Sequence, residues 1–520
     1  MYIEPNTIIR LLKNCPLDNT YDHTIYFDDS EAQFTYFAGL TKYTLSRQTY
    51  QRVNRSRMRV QYKADDLYDC NYLMFQNTSF GNKWFYAFIK SVEYVNNITS
   101  EIEYEIDVMQ TWAFEYQLGQ SFIEREHSAT DVAGDNLVPE SLEKGDYVAE
   151  DFDASGEIGA KSIVVAATFD ADYTNVSGSY YAGVFSGLWF TVFENTPVGA
   201  QACADFIQNA GAKSDGIVTV FLMPTSMVTE SNSAAITKTF EKSKFTQLKR
   251  SDGSSVKNKK LLTYPYNMLY VTNMQGNHAE YHYEYFSGDT CKFNIAGDMS
   301  PNPGVMLAPL NYKGVTTNYD EKIMLNGFPQ LSFNVDTFKA WLAQNAASLP
   351  VNALSSSLGQ ATSIANTQIG LQYATKASMA ATAGVAATAA PIAAGIAVAG
   401  TVAEVYQHSI MPHQAKGASG ATTMAALGLL DFGFMHKHIR PEFASIIDDY
   451  FTMYGYATHR TKIPNRNVRP HWTYTKTIGC VVHGSVPADD IRSICRIYDN
   501  GITFWKNGNE IGNYSLDNSV

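Results

Sequence analysis

The sequence predicts a mainly β fold, that is, a β-rich α+β protein, and three observations support this class. Of the 520 residues, 13% are aromatic, including 33 Tyr and 28 Phe, and aromatic side chains favour strands. Two aromatic and β-branched runs, residues 84–94 and 100–112, lie on either side of Asn96-Asn97. Because asparagines suit a tight turn, these runs predict a long hairpin. In the second run, apolar and acidic residues also alternate.

This alternation predicts which side chains of the second run face a core. Its apolar members are Ile102, Tyr104, Ile106 and Val108, and its acidic members are Glu101, Glu103, Glu105 and Asp107. A period of two places successive side chains on opposite faces of a strand. We therefore expect one face of this strand to be buried and the other to be acidic.

The middle of the chain shows a change in composition. Residues 140–157 carry seven acidic side chains against Lys144 alone, which predicts a boundary near residue 155. Beyond it, residues 156–255 contain short strand-like runs, such as 162–169 and 216–223, among Gly, Ser and Asn. We expect an inserted domain there.

Further elements follow along the chain. Residues 264–272 and 279–285 flank Gln275-Gly276-Asn277 and predict a second hairpin. Residues 441–454 and 487–498 each begin with a proline and stop before a glycine, and both are expected to be helices. The apolar positions at helical spacing in the first helix are Phe443, Ile446, Ile447, Tyr450 and Tyr454.

Residues 340–430 differ from the rest of the chain in charge. Only Lys376, Glu404 and Lys416 are charged there, and residues 377–403 carry no charge. As a helix, this uncharged run would reach about 40 Å, enough for a bilayer core of about 30 Å. It is rich in Ala, Gly and Thr, so one copy would be marginal in lipid, whereas small residues let several copies pack closely. A buried or flexible loop, a permanent membrane span and a conditional, oligomeric membrane segment all remain open.

Two sets of candidate residues belong to this part of the chain. The candidate membrane-active positions are Ala377, Met379, Val385, Pro391, Ile392, Ile396, Val398, Val402, Leu427, Leu429 and Leu430. Four histidines at the trailing side, His408, His413, His436 and His438, are candidate pH sensors, since histidine titrates near about pH 6.5. The alternative for these four is that they are exposed loop residues.

Motifs for catalysis or metal binding are not found. The chain lacks a phosphate-binding loop, the zinc-protease motif H-E-x-x-H and the hydrolase motif G-x-S-x-G. The six cysteines form no C-x-x-C pair, which predicts reduced, mostly buried thiols rather than a metal site or a disulfide framework. The local clusters Asp28-Asp29, Asp65-Asp66 and 124–127 are of a kind common on protein surfaces. We predict a non-enzymatic protein with no catalytic residue, metal or cofactor.

The charge distribution bears on nucleic acid. The net charge of −12 argues against a protein that grips DNA through its phosphates, but it is compatible with DNA as passing cargo. Arg460, Lys462, Arg466 and Arg469 form a local basic group, for which we expect contact with a neighbouring subunit rather than with DNA.

Several stretches of the chain carry a family resemblance. The stretches are residues 72–88 (YLMFQNTSFGNKWFYAF), 104–112 (YEIDVMQTW), 122–127 (FIEREH), 264–266, 276–278, 454–456, 464–469 and 499–513 (DNGITFWKNGNEIGN). They keep their order over roughly the first 130 and last 80 residues plus a middle strip, and together they resemble the distal tail-knob (tail-tube) proteins of small short-tailed bacteriophages of Gram-positive bacteria.

The resemblance implies a fold and a function. The fold would be a tail-tube-like β-barrel or sandwich domain with an inserted knob region and a long hydrophobic loop. The function would be a homo-hexameric conduit for double-stranded DNA at the distal end of the tail, in contact with neighbouring tail and collar proteins. The loop would plug the lumen and later enter the host membrane, and Glu101, Glu103, Glu105 and Asp107 would form an acidic lumen face.

These expectations divide the chain into five parts. They are a tube domain (1–155), an inserted knob region (156–260), a β region completing the tube or knob (261–339), the hydrophobic loop (340–435) and a C-terminal α+β part (436–520). Two alternative functions are a tail-tip hydrolase acting on the cell wall and a receptor-binding tail protein. Peptidoglycan release would favour the first, and host adsorption competed by wall polysaccharide would favour the second.

Overall fold

The fold is taken from a computed structural model of the chain. The structure describes residues 6–48, 56–154, 158, 161–169, 189–194, 196–210, 213, 216–227, 236–244, 247–297, 304–326, 328, 330–332 and 431–520. The apolar candidates at 377–430, together with His408 and His413, lie outside these residues.

The chain divides into two compact units. Unit 1 comprises Met1–Gly145, Leu248–Thr263 and Pro441–Val520, and unit 2 comprises Asp146–Gln247 and Tyr264–Arg440. The chain thus leaves unit 1 at the acidic stretch and returns to it twice. The roles assigned above to the five parts of the chain, tube, knob and loop, stay predictions.

Unit 1 combines thirteen described strands with four described helices. The strands are β1 Thr7–Lys13, β2 His23–Ile25, β3 Thr41–Gln48, β4 Arg57–Val60, β5 Cys70–Gln76, β6 Trp84–Asn96, β7 Thr99–Ile106, β8 Tyr116–Leu118, β9 Ser121–Glu126, β23 Tyr456–Lys462, β24 Trp472–Ile478, β25 Val482–Gly484 and β26 Ile502–Trp505. The helices are α1 Ser30–Gly39, α2 Val108–Thr111, α4 Pro441–Tyr454 and α5 Ala488–Asn500.

The largest sheet of the described part of unit 1 has six strands in the order β3-β1-β5-β6-β7-β4. Its central strand β5 is buried on both faces, since neighbouring residues Leu73 and Met74 are both fully buried. Helix α1 covers one face through Phe37, whose ring stacks on Tyr72 with centroids 5.3 Å apart. The sheet therefore lies between two apolar clusters.

The first predicted hairpin is confirmed. Strands β6 and β7 pair antiparallel from Ala87 opposite Ile106 to Asn96 opposite Thr99. The Asn96 side chain accepts a hydrogen bond from the backbone N–H of Ile98 at 3.0 Å, which is how a short amide side chain stabilises a turn. Ile102 and Tyr104 are buried, as the alternation predicts.

The second sheet of unit 1 has the order β2-β26-β24-β9-β23. Its centre is a pair of buried indoles, Trp472 and Trp505, with ring centroids 4.9 Å apart. A separate two-stranded sheet joins β25 and β8.

The two helices predicted near the C-terminus are confirmed. Helix α4 ends where Gly455 adopts a φ of +65°, and a Cβ there would lie 2.1 Å from the backbone oxygen of Glu126. The buried face of α4 contains Ala444, Ile447 and Phe451. The apolar spacing pointed to a stripe that includes Ile446, which is 65% exposed.

Unit 2 has thirteen described strands and helix α3, Pro197–Asn209. The strands are β10 Tyr147–Ala154, β11 Lys161–Ala167, β12 Trp189–Glu194, β13 Ile217–Pro224, β14 Ile236–Glu241, β15 Asn267–Thr272, β16 His278–Tyr281, β17 Thr290–Gly297, β18 Val305–Tyr312, β19 Val315–Thr317, β20 Ile323–Leu325, β21 Gln330–Ser332 and β22 Gly433–Ile439. The sheet orders are β10-β22-β15-β16, β12-β11-β13-β21 and β14-β17-β18-β19, with β20 also pairing with β18.

One apolar cluster joins the three described sheets of unit 2. Ile163 of β11, Phe293 of β17 and Phe434 of β22 all belong to it, and each is almost completely buried. The second predicted hairpin is confirmed as β15 and β16, with Leu269 opposite Tyr281. The predicted mainly β fold is thus confirmed, because strands outnumber helices in the described part of the chain and the described sheets contribute to buried cores.

Candidate functional site: an exposed acidic strand and the anchors of the apolar segment

The acidic face of β7 is partly exposed and charge-paired, with the Glu101 side chain 19% exposed and that of Glu105 46% exposed. Arg59 donates to Glu101 at 2.9 Å, and Arg57 lies 3.2 Å from Glu101 and 3.3 Å from Glu103. Lys90 lies 2.9 Å from Glu105. The hydrogen bond from Arg59 holds the pKa of Glu101 below its ordinary value. The face is therefore a mixed surface, less negative than the alternation alone suggests.

Asp107 does not lie on that face, and its assignment to an acidic lumen surface is wrong. The strand ends at Ile106, and Asp107 is 1% exposed. Its carboxylate caps α2 by accepting hydrogen bonds from the backbone N–H groups of Met109 and Gln110, each at 3.0 Å. Tyr72 donates a third bond through its hydroxyl at 2.8 Å. Burial raises the pKa of Asp107 to about 6.

The described strands on either side of the apolar segment, residues 340–430, are hydrogen-bonded within sheets of unit 2. Before it, β21 pairs with β13, with Leu331 opposite Val220. After it, β22 pairs on one side with β10 and on the other with β15. Phe432, at the start of β22, is fully buried. The nearest described strands before and after the segment, β21 and β22, therefore both belong to sheets of unit 2.

The segment's candidate residues at 377–430 are not described, so their role stays a prediction. Among the described residues, no helix is long and apolar enough to cross a membrane.

Two of the four candidate pH sensors, His436 and His438, lie on one face of β22 with their rings 4.7 Å apart. Both are buried, so the alternative that they are exposed loop residues is wrong for this pair. His436 contacts the side-chain oxygen of Asn267, while Nε2 of His438 lies 3.4 Å from the Glu150 carboxylate. Burial, and then the neighbouring His438, lower the pKa of His436 to about 4. His436 therefore stays neutral at mildly acidic pH.

Three members of the basic group near residue 465 are engaged within unit 1, and the expected contact of this group with a neighbouring subunit stays a prediction. Arg469 is 3% exposed and donates to the backbone oxygen of Asn518. The Arg466 guanidinium lies 5.6 Å from the ring centroid of Tyr116, and Lys462 pairs with the buried Glu126. Their positive charges are therefore largely satisfied inside unit 1.

Residues 124–127 also have structural roles. Glu126 is buried, and His127 accepts a hydrogen bond from the backbone N–H of Tyr474 at 2.8 Å. Burial lowers the pKa of His127 to about 3, so this ring is neutral. In the described part of the chain, no group of three or more His, Cys, Asp or Glu side chains is arranged to hold a metal ion.

Sequence reasoning missed two buried ion clusters that join distant parts of unit 1. In the first, Glu140 pairs with Arg125 and with Lys260, the latter at 2.6 Å. In the second, the fully buried Asp448 pairs with Arg250 at 2.5 Å. Both clusters hold the returning segment Leu248–Thr263 in unit 1, and no local pattern identifies their members because the partners are far apart in the chain.

The comparisons with known proteins agree with this architecture. Residues 228–519 match the family model described as Bacillus phage phi29, tail knob protein gp9, C-terminal domain. Residues 5–117 match the model described as Caudoviral major tail protein N-terminus.

Two curated relatives align over almost their whole length. Tail knob protein gp9 of Bacillus phage B103 is 26% identical over 598 residues, covering 99% of this chain and 98% of the relative. The same protein of Bacillus phage phi29 is 25% identical over 607 residues, with the same coverage. The solved structure of the bacteriophage C1 tail knob protein, gp12, superimposes with a TM-score of 0.63 at 14% identity, covering 99% of this chain and all of the other. At that identity, the similarity shows a shared fold.

Proposed function

The chain belongs to the family of phage tail knob proteins that includes gp9 of Bacillus phage phi29, and on this premise we propose that six copies form a conduit for DNA at the distal end of the tail. As a member of this family it is a structural protein of the virion tail, where neighbouring tail proteins surround it. The proposal adds the hexameric state, the passage of DNA and a membrane-penetrating segment, and it includes no enzymatic activity.

The charge of the chain supports a conduit rather than a DNA-binding protein. Six copies at −12 each carry a net charge of about −72, which repels the phosphate backbone at long range. On the exposed face of the first hairpin, Glu93, Glu101, Glu103 and Glu105 meet Arg57, Arg59 and Lys90. Four acids against three bases leave a weak local field, so DNA would slide over such a surface without being held.

The observation that carries the membrane proposal is the way the apolar segment is attached. Residues 377–403 have no charge, and the segment that contains them lies between β21 and β22, two strands that are paired within sheets of unit 2. Such a segment would change its environment without unfolding the strands that hold it. One copy is weakly apolar, but six copies would pack closely through Ala and Gly. We propose that it plugs the lumen and is released into the host membrane.

A liposome dye-release assay with matched variants tests this role. A charge at the centre of a membrane segment costs about 3 kcal/mol, so we expect Ile392→Glu, near the middle of the uncharged run, to abolish most release. Ser356→Glu, in the same segment but outside that run, should retain it. Deletion of residues 345–430 should remove it at neutral and at mildly acidic pH. Equal leakage from the intact and deleted proteins would refute the membrane role.

The conduit is tested separately by mass. Light scattering of the purified chain should give a particle of about six subunits, and the deletion variant should keep that number of subunits if unit 1 assembles the tube. A monomer at high protein concentration would contradict the proposal of a hexameric conduit. The dye-release assay would still test the membrane role, because it does not depend on the mass measurement.

A further inference from the structure

Two partly exposed cysteines meet in unit 1. Cys480 lies in the short connection between β24 and β25, and Cys495 lies on helix α5. The other four cysteines, Cys15, Cys70, Cys203 and Cys291, are buried.

Side-chain contacts fix the position of this connection against α5. Asp499 accepts hydrogen bonds from the backbone N–H of Cys480 at 3.0 Å and from the Thr477 hydroxyl at 2.6 Å. Cys495 and Asp499 are four residues apart, so their side chains share one face of the helix. The side chains of Cys480 and Cys495 interact with each other as well as with Asp499. Cys480 also packs against the apolar cluster that contains Ile494 and Tyr498 of the same helix.

We propose that Cys480 and Cys495 are an oxidisable pair that forms an intrachain disulfide once the particle has left the cell. A tail protein is made among the reducing thiols of a cytoplasm and then meets an oxidising exterior. The bond would tie α5 to the connection after β24 without moving either element far. It closes a loop of residues 480–495 and so lowers the conformational entropy of the unfolded chain, rather than adding a contact to the native structure. This inference needs only a place in the virion and is independent of the conduit and of the membrane segment.

The oxidant is a low-molecular-weight disulfide, and the exchange balances with it. One cysteine thiolate attacks a sulfur of glutathione disulfide, which releases one glutathione thiolate and leaves a mixed disulfide. The second cysteine thiolate attacks the protein sulfur of that mixed disulfide and releases the second glutathione. The protein loses two electrons and two protons, and two molecules of reduced glutathione are formed.

The environment of the thiols makes this exchange slow at neutral pH. Burial first, and then the neighbouring Cys495 and Asp499, raise the pKa of the Cys480 thiol to about 12, although hydrogen bonds with Thr477 and Ser121 oppose the shift. Burial likewise raises the pKa of Cys495, with Asp499 adding to the effect. Because the thiolate is the attacking species, the rate should rise about tenfold per pH unit between about pH 7 and pH 9.

The test is thiol counting and peptide mapping of the full chain incubated with glutathione disulfide. We expect the titratable thiols of the denatured protein to fall from six to four, and a non-reduced digest to contain a peptide that joins Cys480 to Cys495. Oxidation should also raise the melting temperature by a few degrees, and dithiothreitol should reverse both changes. Six remaining thiols, or links through other cysteines or between chains, would overturn the proposal.

Matched serine variants separate this pair from general oxidation. Cys480→Ser and Cys495→Ser should each lose the linked peptide and the thermal shift, whereas Cys203→Ser, at a buried site, should keep both. Since mapping of the unmodified chain decides the question alone, a variant that fails to fold does not remove the test.

Discussion

Two groups of carboxylates in unit 1 differ in what surrounds them. Glu101, Glu103 and Glu105 lie on an exposed strand face, where each meets a basic side chain from a neighbouring strand. Asp448 and Asp107 are buried, and each accepts several hydrogen bonds. The exposed pairs are screened by water and salt, whereas a buried carboxylate depends wholly on its partners. The acidic residues of unit 1 are therefore of two kinds: those on a strand surface, which contribute little to stability, and buried ones, which hold segments of the chain together.

The largest expected effect is at Asp448. This fully buried carboxylate binds Arg250 and accepts bonds from the backbone N–H groups of Lys257 and Asn258. Asp448→Ala leaves two backbone donors and the Nη1 group of Arg250 without their acceptor, so we expect the free energy of unfolding to fall by about 3–5 kcal/mol. Urea unfolding followed by tryptophan fluorescence measures it.

The neighbouring Asp449 is the matched control for Asp448. It also contacts Arg250, at 2.9 Å, but its side chain is 59% exposed. Asp449→Ala should cost less than about 1 kcal/mol. Equal losses from the two variants would mean that burial does not distinguish the two groups.

An intermediate effect is expected at Asp107, and it depends on pH. The folded pKa of about 6 lies above the ordinary value of 3.8, so folding favours the protonated form. The stabilisation by this group is complete below about pH 4 and is lost as the pH rises through about 6. Asp107→Asn keeps an oxygen to cap α2 but does not titrate. Between pH 4.5 and pH 7, the free energy of unfolding of this variant should therefore rise by about 2 kcal/mol relative to that of the unmodified chain.

Urea unfolding of both proteins at these two pH values measures the difference at Asp107. Glu103→Gln, on the exposed face, provides the comparison and should show a much smaller pH-dependent change. If the difference between the Asp107→Asn variant and the unmodified chain is constant with pH, Asp107 is not a buried group that titrates near pH 6.

The smallest effect is expected on the exposed strand face. Arg59→Ala removes the hydrogen bond to Glu101 but leaves Arg57 beside the same carboxylate. We expect a loss below about 1 kcal/mol at low salt that disappears near about 1 M sodium chloride, because salt screens exposed pairs. A loss of unfolding free energy above about 2 kcal/mol that does not depend on salt would show that this strand face stabilises the fold as the buried carboxylates do.

The residues that the sequence located correctly are those whose structure depends on near neighbours. The period of two predicted that Ile102 and Tyr104 are buried, and asparagines predicted the turn at residue 97. Proline and glycine bounded α4 between Pro441 and Gly455. The same reasoning failed at Asp107, because the alternation continues in the sequence for two residues, Asp107 and Val108, after the strand has ended at Ile106.

The charged partners were beyond such reasoning. Arg250 and Asp448 are 198 residues apart, and Lys260 and Glu140 are 120 residues apart. No periodicity relates residues at these separations, so their pairing depends on how strands and loops pack. For the same reason, the sequence identified His436 and His438 as candidates but not their burial.

The sequence by itself determined the mainly β class, both hairpins, the two C-terminal helices, the uncharged segment and the family resemblance. These features depend on composition, turn chemistry and local spacing, which can be read from neighbouring residues without knowledge of how the chain packs. Only the tertiary structure decided which face of α4 is buried, which carboxylates are paired, and that Cys480 meets Cys495. Those outcomes follow from packing, because burial and partner choice arise when residues remote in the chain are brought into contact.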